Sequence, residues 1–257
     1  MIVELPYLDV PATEHAKIWR YIDFTKFVSL LDRRALFFVR ADKLGDLFEG
    51  ASSEINIEMR PELYKNTLEE FGKYSEDELK KTLSNMSAYL QFLSKITAIS
   101  CWHLNDIESD AMWTKYAGQD RGIAIQSTYG RLKDSLMYEE FGIFIHKVKY
   151  IDHSVDYMVG DLGVGPFYHK RKEFSHESEL RAIIQKMAAP GKPAMVDFKP
   201  IRNNGIYVNV DLDLLVERIY LSPTSPTWIR KLVESVTARY GLDRPVIPSK
   251  LASKPKY

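Results

Sequence analysis

The densest chemistry in the chain lies in FYHKRKEFSHESELRAII, residues 167–184. Lys170, Arg171 and Lys172 are consecutive there, beside Tyr168 and His169. Clustered cationic donors suit phosphate oxygens, because charged N–H groups bond anions more strongly than neutral ones do. Glu177-Ser178-Glu179 follows, directly before the apolar run LRAII. On an extended strand, residues two apart project to one face, so Glu177 and Glu179 are expected side by side. Adjacent carboxylates repel, which tends to raise one pKa and marks either a salt-bridged pair or a working site. The spacing equally fits a charged helix end with Glu177 and Arg181 paired at i,i+4, and spacing alone favours that ordinary arrangement.

Arg20 stands alone between Trp19 and Tyr21 in KIWRYI. On a strand it projects opposite to both. If that face is interior, its charge needs a carboxylate such as Glu49 or Glu179, or a bound phosphate. On an edge strand it faces water. Cys101 and His103 share a strand face and invite a thiol–imidazole pair. The surrounding ITAISCW is apolar, however, and core packing is the favoured role for the thiol. His169, His176, Glu177 and Glu179 match no familiar ligand spacing, so no metal is expected. The sequence has no GxGxxG, GxxxxGK[ST], GxSxG or HExxH. GVGPF at 163–167 lacks the lysine and the preceding strand of a phosphate loop.

The elements that must position these residues are legible in outline. KIWRYI (17–22) reads as a strand, and Asp23 can cap a helix over FTKFVSLLDR. ALFFVRAD is a short strand and KLGDLFEG a loop. Residues 51–95 read as a helical insertion with a solvated face, Pro61 suiting a helix start. ITAISCW, RGIAIQS, a long FGIFIHKVKYI, ELRAIIQ, NNGIYVNVD and ERIYLSP are strand candidates. SDAMWTKYA reads as a helix capped by Ser109 and ending near Gly118. SVDYMVGDLGVGPF reads as a loop followed by a basic helix. SPTWIRKLVESVTARYG is an amphipathic helix, capped by Ser225 or Thr224 with Pro226 near its first turn. Strands and helices mix without βαβ alternation. This favours an α+β fold, a mixed or antiparallel sheet core with surrounding helices, in a single domain over 1–257. Residues 242–257 form an expected basic, flexible tail.

The chain has 257 residues, 45% of them hydrophobic, which excludes disordered and low-complexity classes. One cysteine excludes an intrachain disulfide framework. MIVELPYLDVPATEH lacks the basic start and apolar core of a secretory signal, and no apolar run reaches bilayer length. A cytoplasmic location without membrane partners is expected. The 35 basic and 35 acidic residues cancel, which argues against indiscriminate coating of nucleic acid. The cancellation is uneven: 58–81 holds seven acidic and five basic residues, 229–257 two and seven.

IWRYIDFTKFVSLLDRRALFFVRADKLGDLFEG resembles the opening of a bacterial family known as domain of unknown function 2971. Its marks are an aromatic–Arg–Tyr strand, an apolar helix, an LxFxR strand and a D-x-F-E loop, here Asp46, Phe48 and Glu49. SCWHLNDIESDAMWTKYAGQDRGIAIQST is similar to that family's C-[FW]-[ST]…MW…Y…G-[IV]-[AC]-I stretch, and FYHKRKEFSHESELRAI to its K-x-x-x-F-x-x-E-x-E-x-R motif. More distantly, the order Arg20, Ser127-Thr128, Glu177-Ser178-Glu179 resembles the Arg…Ser/Thr…Glu-x-Glu order of ADP-ribosyltransferases. That resemblance implies NAD as substrate and no metal. It places Arg20 at the ribose and phosphates, with Tyr21, Ser127, Lys170 and Arg171 as further contacts. Glu179 would bind the ribose 2′-hydroxyl, strengthening as oxocarbenium charge develops, and Glu177 would orient the acceptor, a nucleic acid or a protein. The alternative is a non-catalytic nucleic-acid-binding module using the 168–172 cluster, the basic tail and aromatic stacking. A protein-interaction component of a phage-defence or toxin–antitoxin system is implied by family association alone.

Overall fold

The computed structural model describes residues 2–118, 120–137, 141–160, 163–186, 199–253 and 255. The chain opens with β1 (Ile2–Val3), β2 (Lys17–Asp23), α1 (Phe24–Arg33) and β3 (Ala35–Arg40). Asp23 caps α1 as expected, its carboxylate accepting the Lys26 N–H at 2.8 Å, and the helix buries Phe27, Leu30 and Leu31. The insertion is a helical hairpin of α2 (Glu54–Glu70) and α3 (Glu76–Ile96). Pro61 lies inside α2, not at its start. Ser53 supplies the cap that satisfies the first free N–H groups, so the helix begins there. No α2 residue is buried, and α3 buries only Leu93 and Ile96 where it enters the sheet.

Next come β4 (Thr97–Leu104), the short α4 (Asp110–Met112) running into a π-helical turn at Trp113–Ala117, β5 (Gly122–Thr128) and α5 (Tyr129–Ser135). The long strand expected over 141–151 divides into β6 (Ile143–Lys147) and β7 (Lys149–Ile151), which join different sheets. The basic helix expected after the glycine-rich loop is instead β8 (His169–Arg171) and a 3-10 turn, Lys172–Glu177. Lys170, Lys172 and Glu177 are held by tertiary ion pairs rather than by i,i+4 contacts. Then follow β9 (Glu179–Gln185), β10 (Gly205–Asn209), α6 (Leu212–Leu215), β11 (Arg218–Leu221), α7 (Thr227–Arg239) and β12 (Val246–Pro248). Pro226 itself precedes α7 without any side-chain cap, so neither Ser225 nor Thr224 takes that place. The start of the expected loose tail is strand: β12 pairs in parallel with β11, and Leu242 and Val246 are buried. Residues 254, 256 and 257 lie outside the described residues.

The α+β reading holds. Ten strands form a mixed, mostly antiparallel sheet in the order β1-β6-β9-β4-β2-β5-β11-β12, with β3 on β4 and β10 on β3. β4 is its branch point. One side pairs with β9 along its whole length, from Thr97↔Gln185 to His103↔Glu179. The other side meets β2 only at Ile18↔Leu104 and Trp19↔His103, then β3 at Val39↔Ile99 and Arg40↔Ala98. β2 continues along β5 instead, so the sheet parts beside residues 100–102. On one face, Ile18, Ile22, Ala98, Trp102, Leu180 and Ala182 pack with α1 and α7 residues. On the other, Trp19, Tyr21, Met112 and Trp113 form a separate cluster.

The loop after β3 closes at Gly50, which has a φ of +76°. A Cβ there would lie 2.3 Å from the buried Phe167 ring. Gly50→Ala combines left-handed strain with overpacking. It should lower unfolding free energy by about 2–4 kcal/mol in a denaturant titration, whereas an unchanged midpoint would show that the loop yields freely.

Candidate functional site

The parting of the sheet opens a cavity of about 530 Å³. Arg20 enters from one face of the sheet. Glu179 and Arg181 enter from the other, because they alternate along β9 with Leu180 and Ala182, which pack with Ile18 and Ile22. Both sets line the same space, since no strand fills the gap between β2 and β4. Aromatic walls come from Trp19, Tyr21, Trp102 and Tyr116.

The floor is a buried ion network. Arg181 is fully buried. Its Nε donates to Glu179 Oε2 at 2.7 Å, Nη1 to Glu49 Oε2 at 2.6 Å and to the Phe167 carbonyl at 2.7 Å, and Nη2 to Glu49 Oε1 at 2.8 Å. Lys170 Nζ bridges Glu177 Oε2 at 2.5 Å and Glu179 Oε1 at 2.6 Å. Glu177 Oε1 also accepts the Tyr116 hydroxyl at 2.7 Å and the Lys115 ammonium. At the rim Arg171 donates to Asp46 at 2.8 Å, with its guanidinium 4.8 Å from the Phe48 ring and 5.2 Å from Phe174. Four carboxylates, Asp46, Glu49, Glu177 and Glu179, thus meet Lys115, Lys170, Arg171 and Arg181.

The electrostatics follow. Burial alone would push the Glu179 carboxyl up, but Arg181 and Lys170 outweigh it and hold it well below the ordinary carboxylate range. Burial likewise opposes the charges of Arg181 and Lys170, and their glutamates overcome it, so both pKa values rise. Burial, with Glu179 close by, pushes the Cys101 thiol up, leaving it a protonated wall group and not a nucleophile. Burial lowers His103, which is therefore neutral at pH 7. Its Nδ1–H must donate to the Glu177 carbonyl at 2.6 Å, since a carbonyl only accepts; Nε2 then accepts from the Asn105 amide at 3.3 Å.

Arg20 differs from the other cations. It is half-buried, and burial lowers its pKa. It donates to the Ser100 hydroxyl on β4 and, at 3.1 Å, to the Phe37 carbonyl on β3, with Trp102 5.6 Å from its guanidinium carbon. Neither Glu49 nor Glu179 pairs with it. Among the described residues no carboxylate does.

Glu177 and Glu179 converge as expected, but not by strand alternation. Glu177 ends the 3-10 turn and Ser178 is left-handed at φ 41°, its hydroxyl donating to the Leu104 carbonyl at 3.0 Å. That kink turns both carboxylates onto Lys170. The i,i+4 pair of Glu177 with Arg181 does not form. Lys170 and Arg171 are already occupied by carboxylates, and Lys172 faces Asp156 at 3.0 Å, so the 168–172 cluster is not a free phosphate patch. Ser127 is also corrected. Fully buried on β5, it donates to the Leu215 carbonyl at 2.5 Å and does not line the cavity. Tyr21 does line it, its hydroxyl accepting the Ser109 N–H at 2.9 Å and its ring 5.0 Å from Trp113. Sequence reasoning gave no site role to Ser100, Lys115 or Tyr116: no motif marks Ser100 or Lys115, while the MW…Y stretch did contain Tyr116; the regular K-x-x-x-F-x-x-E-x-E-x-R spacing likewise carried the signal for Arg181.

No model of a known protein family matches the chain, and no curated protein matches it. Among solved structures it is similar to DarT of Thermus sp. 2.9 in complex with carba-NAD+, at 8% identity and a TM-score of 0.38, over 93% of this chain and 98% of that one. Among the described residues no helix is long and apolar enough to cross a membrane.

Arg181→Met removes the guanidinium shared by two buried carboxylates, Glu49 and Glu179, and leaves them Lys170 alone, which should cost about 3–5 kcal/mol of stability. The pH profile tests the cause. Folded Glu179 binds its proton less readily than unfolded Glu179, so its contribution is complete above the ordinary carboxylate range, about pH 5, and is lost progressively as pH falls below that range towards the depressed folded value. In Arg181→Met that acid-side slope should flatten or reverse in urea titrations from pH 7 to pH 3. An unaltered slope would mean that Arg181 does not keep Glu179 ionised.

Proposed function

We propose that this protein is an ADP-ribosyltransferase-like enzyme that uses NAD as its substrate. The observation that carries the reading is the cavity itself. It brings together an arginine without a carboxylate partner, Arg20, and an ionised glutamate, Glu179, within a volume typical of ligand pockets. A dinucleotide needs both. Its diphosphate is an anion in search of a charge-assisted donor, and Arg20 is held only by neutral oxygens. Its ribose must stabilise positive charge at C1′ when nicotinamide leaves, and a fixed carboxylate on the 2′-hydroxyl does this.

Glu179 takes that second role. Lys170 and Arg181 use one direction on each of its oxygens, and a carboxylate offers about four, so a hydroxyl can still donate to it. The same two cations keep it deprotonated and locked in one rotamer. Glu177, bridged to Glu179 through the Lys170 ammonium, orients the acceptor nucleophile beside the reacting carbon. Ser100 replaces Ser127 as the serine of the site, fixing Arg20 from β4. Phe37 and Tyr207, with ring centroids 4.9 Å apart, also line the cavity and supply aromatic surface for a nucleobase. The alternative of a non-catalytic nucleic-acid module loses its main support, because the cations of the 168–172 cluster are internally paired.

Titration calorimetry with NAD, and nicotinamide release in the presence of nucleic-acid or protein acceptors, test the reading. Arg20→Ala should weaken NAD binding roughly 10–100-fold, the worth of a charge-assisted phosphate contact. Glu179→Gln should keep measurable binding and lose at least about 100-fold in nicotinamide release. A protein that neither binds NAD nor releases nicotinamide with any acceptor sinks the proposal.

A further inference from the structure

The acceptor position beside Glu177 already holds a nucleophile of this chain. Lys170, buried, bridges both glutamates and supplies the local counter-charge. Lys115 is different. Its ammonium also contacts Glu177, on Oε1, yet its side chain keeps 39% of its surface exposed. It lies 4.8 Å from the Phe174 ring and lines the cavity together with Glu179. The π-helical turn at Trp113–Ala117 puts it there. Successive residues of an α-helix point about 100° apart, but here Lys115 and Tyr116 both reach the same carboxylate oxygen. Extra-residue turns of this kind recur at functional sites.

We infer that Lys115 is a self-modification site, accepting ADP-ribose from NAD in the absence of another acceptor; the inference rests on the reading of Glu179 and Glu177 given above. The step balances. Glu177 takes a proton from the Lys115 ammonium, and the freed amine nitrogen bonds to C1′ of the ribose held by Glu179. The C1′–nicotinamide bond breaks, and its electron pair leaves with neutral nicotinamide. No further reactant is needed. Once modified, Lys115 carries a bulky dianionic group at the cavity mouth, so one turnover blocks the site from within.

The test incubates the full chain with NAD alone and measures intact mass, followed by fragmentation of proteolytic peptides. One ADP-ribose per chain is expected, on Lys115, with nicotinamide released in equal amount and turnover then stopping. Lys115→Met should abolish the adduct. Replacing NAD by free ADP-ribose should give none, and an adduct there would reveal simple glycation and overturn the inference. Nicotinamide release with an unmodified chain, or with the label on another residue, overturns this inference alone. Failure to bind NAD at all overturns it together with the proposed function.

Discussion

The structure around the cavity depends on one buried guanidinium. Arg181 is surrounded by β9, the loop that carries Glu49 and the turn that carries Phe167, and it bonds to all three. An isolated charge at that depth is untenable, so the segment containing Glu49 and the segment containing Glu179 must come to it. This single constraint brings a loop from the first fifth of the chain against a strand from its last third. Lys170 extends the network sideways to Glu177, and Glu177 extends it to the π-helical turn. Such a cluster adds little net stability over an apolar filling, but it fixes where each carboxylate points.

A second constraint is the branching of the sheet at β4. Because β2 follows β5 while β3 takes over the side of β4, backbone hydrogen bonding is interrupted beside residues 100–102. Arg20 spans that interruption, donating to β4 through Ser100 and to β3 through Phe37. The residue that lines the opening thus also ties its two walls together. Among the described residues no carboxylate pairs with it, since Arg20 enters from the face opposite to Glu179, and Glu49 and Glu179 are engaged by Arg181 and Lys170.

Much of the fold was legible in the sequence, because strands such as GIAIQST and ELRAIIQ hold short β-branched apolar runs and α1 has a clear cap and face. What escaped was tertiary in origin. The strand over 141–151 breaks at Val148 because its two halves have different partners. The segment around Lys172 reads as helix by composition, but its side chains are drawn into ion pairs from other elements. The site was legible in part for the same reason. Arg20, Glu177 and Glu179 stood out as charges in apolar or repulsive settings that demand partners. The identity of the partners did not, since Ser100 and Ser127 are equally plain serines and only the branching of the sheet distinguishes them.

The helical hairpin of α2 and α3 bears on how the chain assembles. β3 and β4 are neighbours in the sheet, yet the whole of 41–96 lies between them. Pairing them early would require closing a long loop before any contact rewards it. Helices form from local contacts within microseconds or less, and a folded hairpin brings its two ends together. The insertion therefore shortens the effective search: α2 and α3 zip first and deliver β4 to β3. On this account a part of the molecule with almost no buried residues prepares the ground for the buried Arg181 cluster.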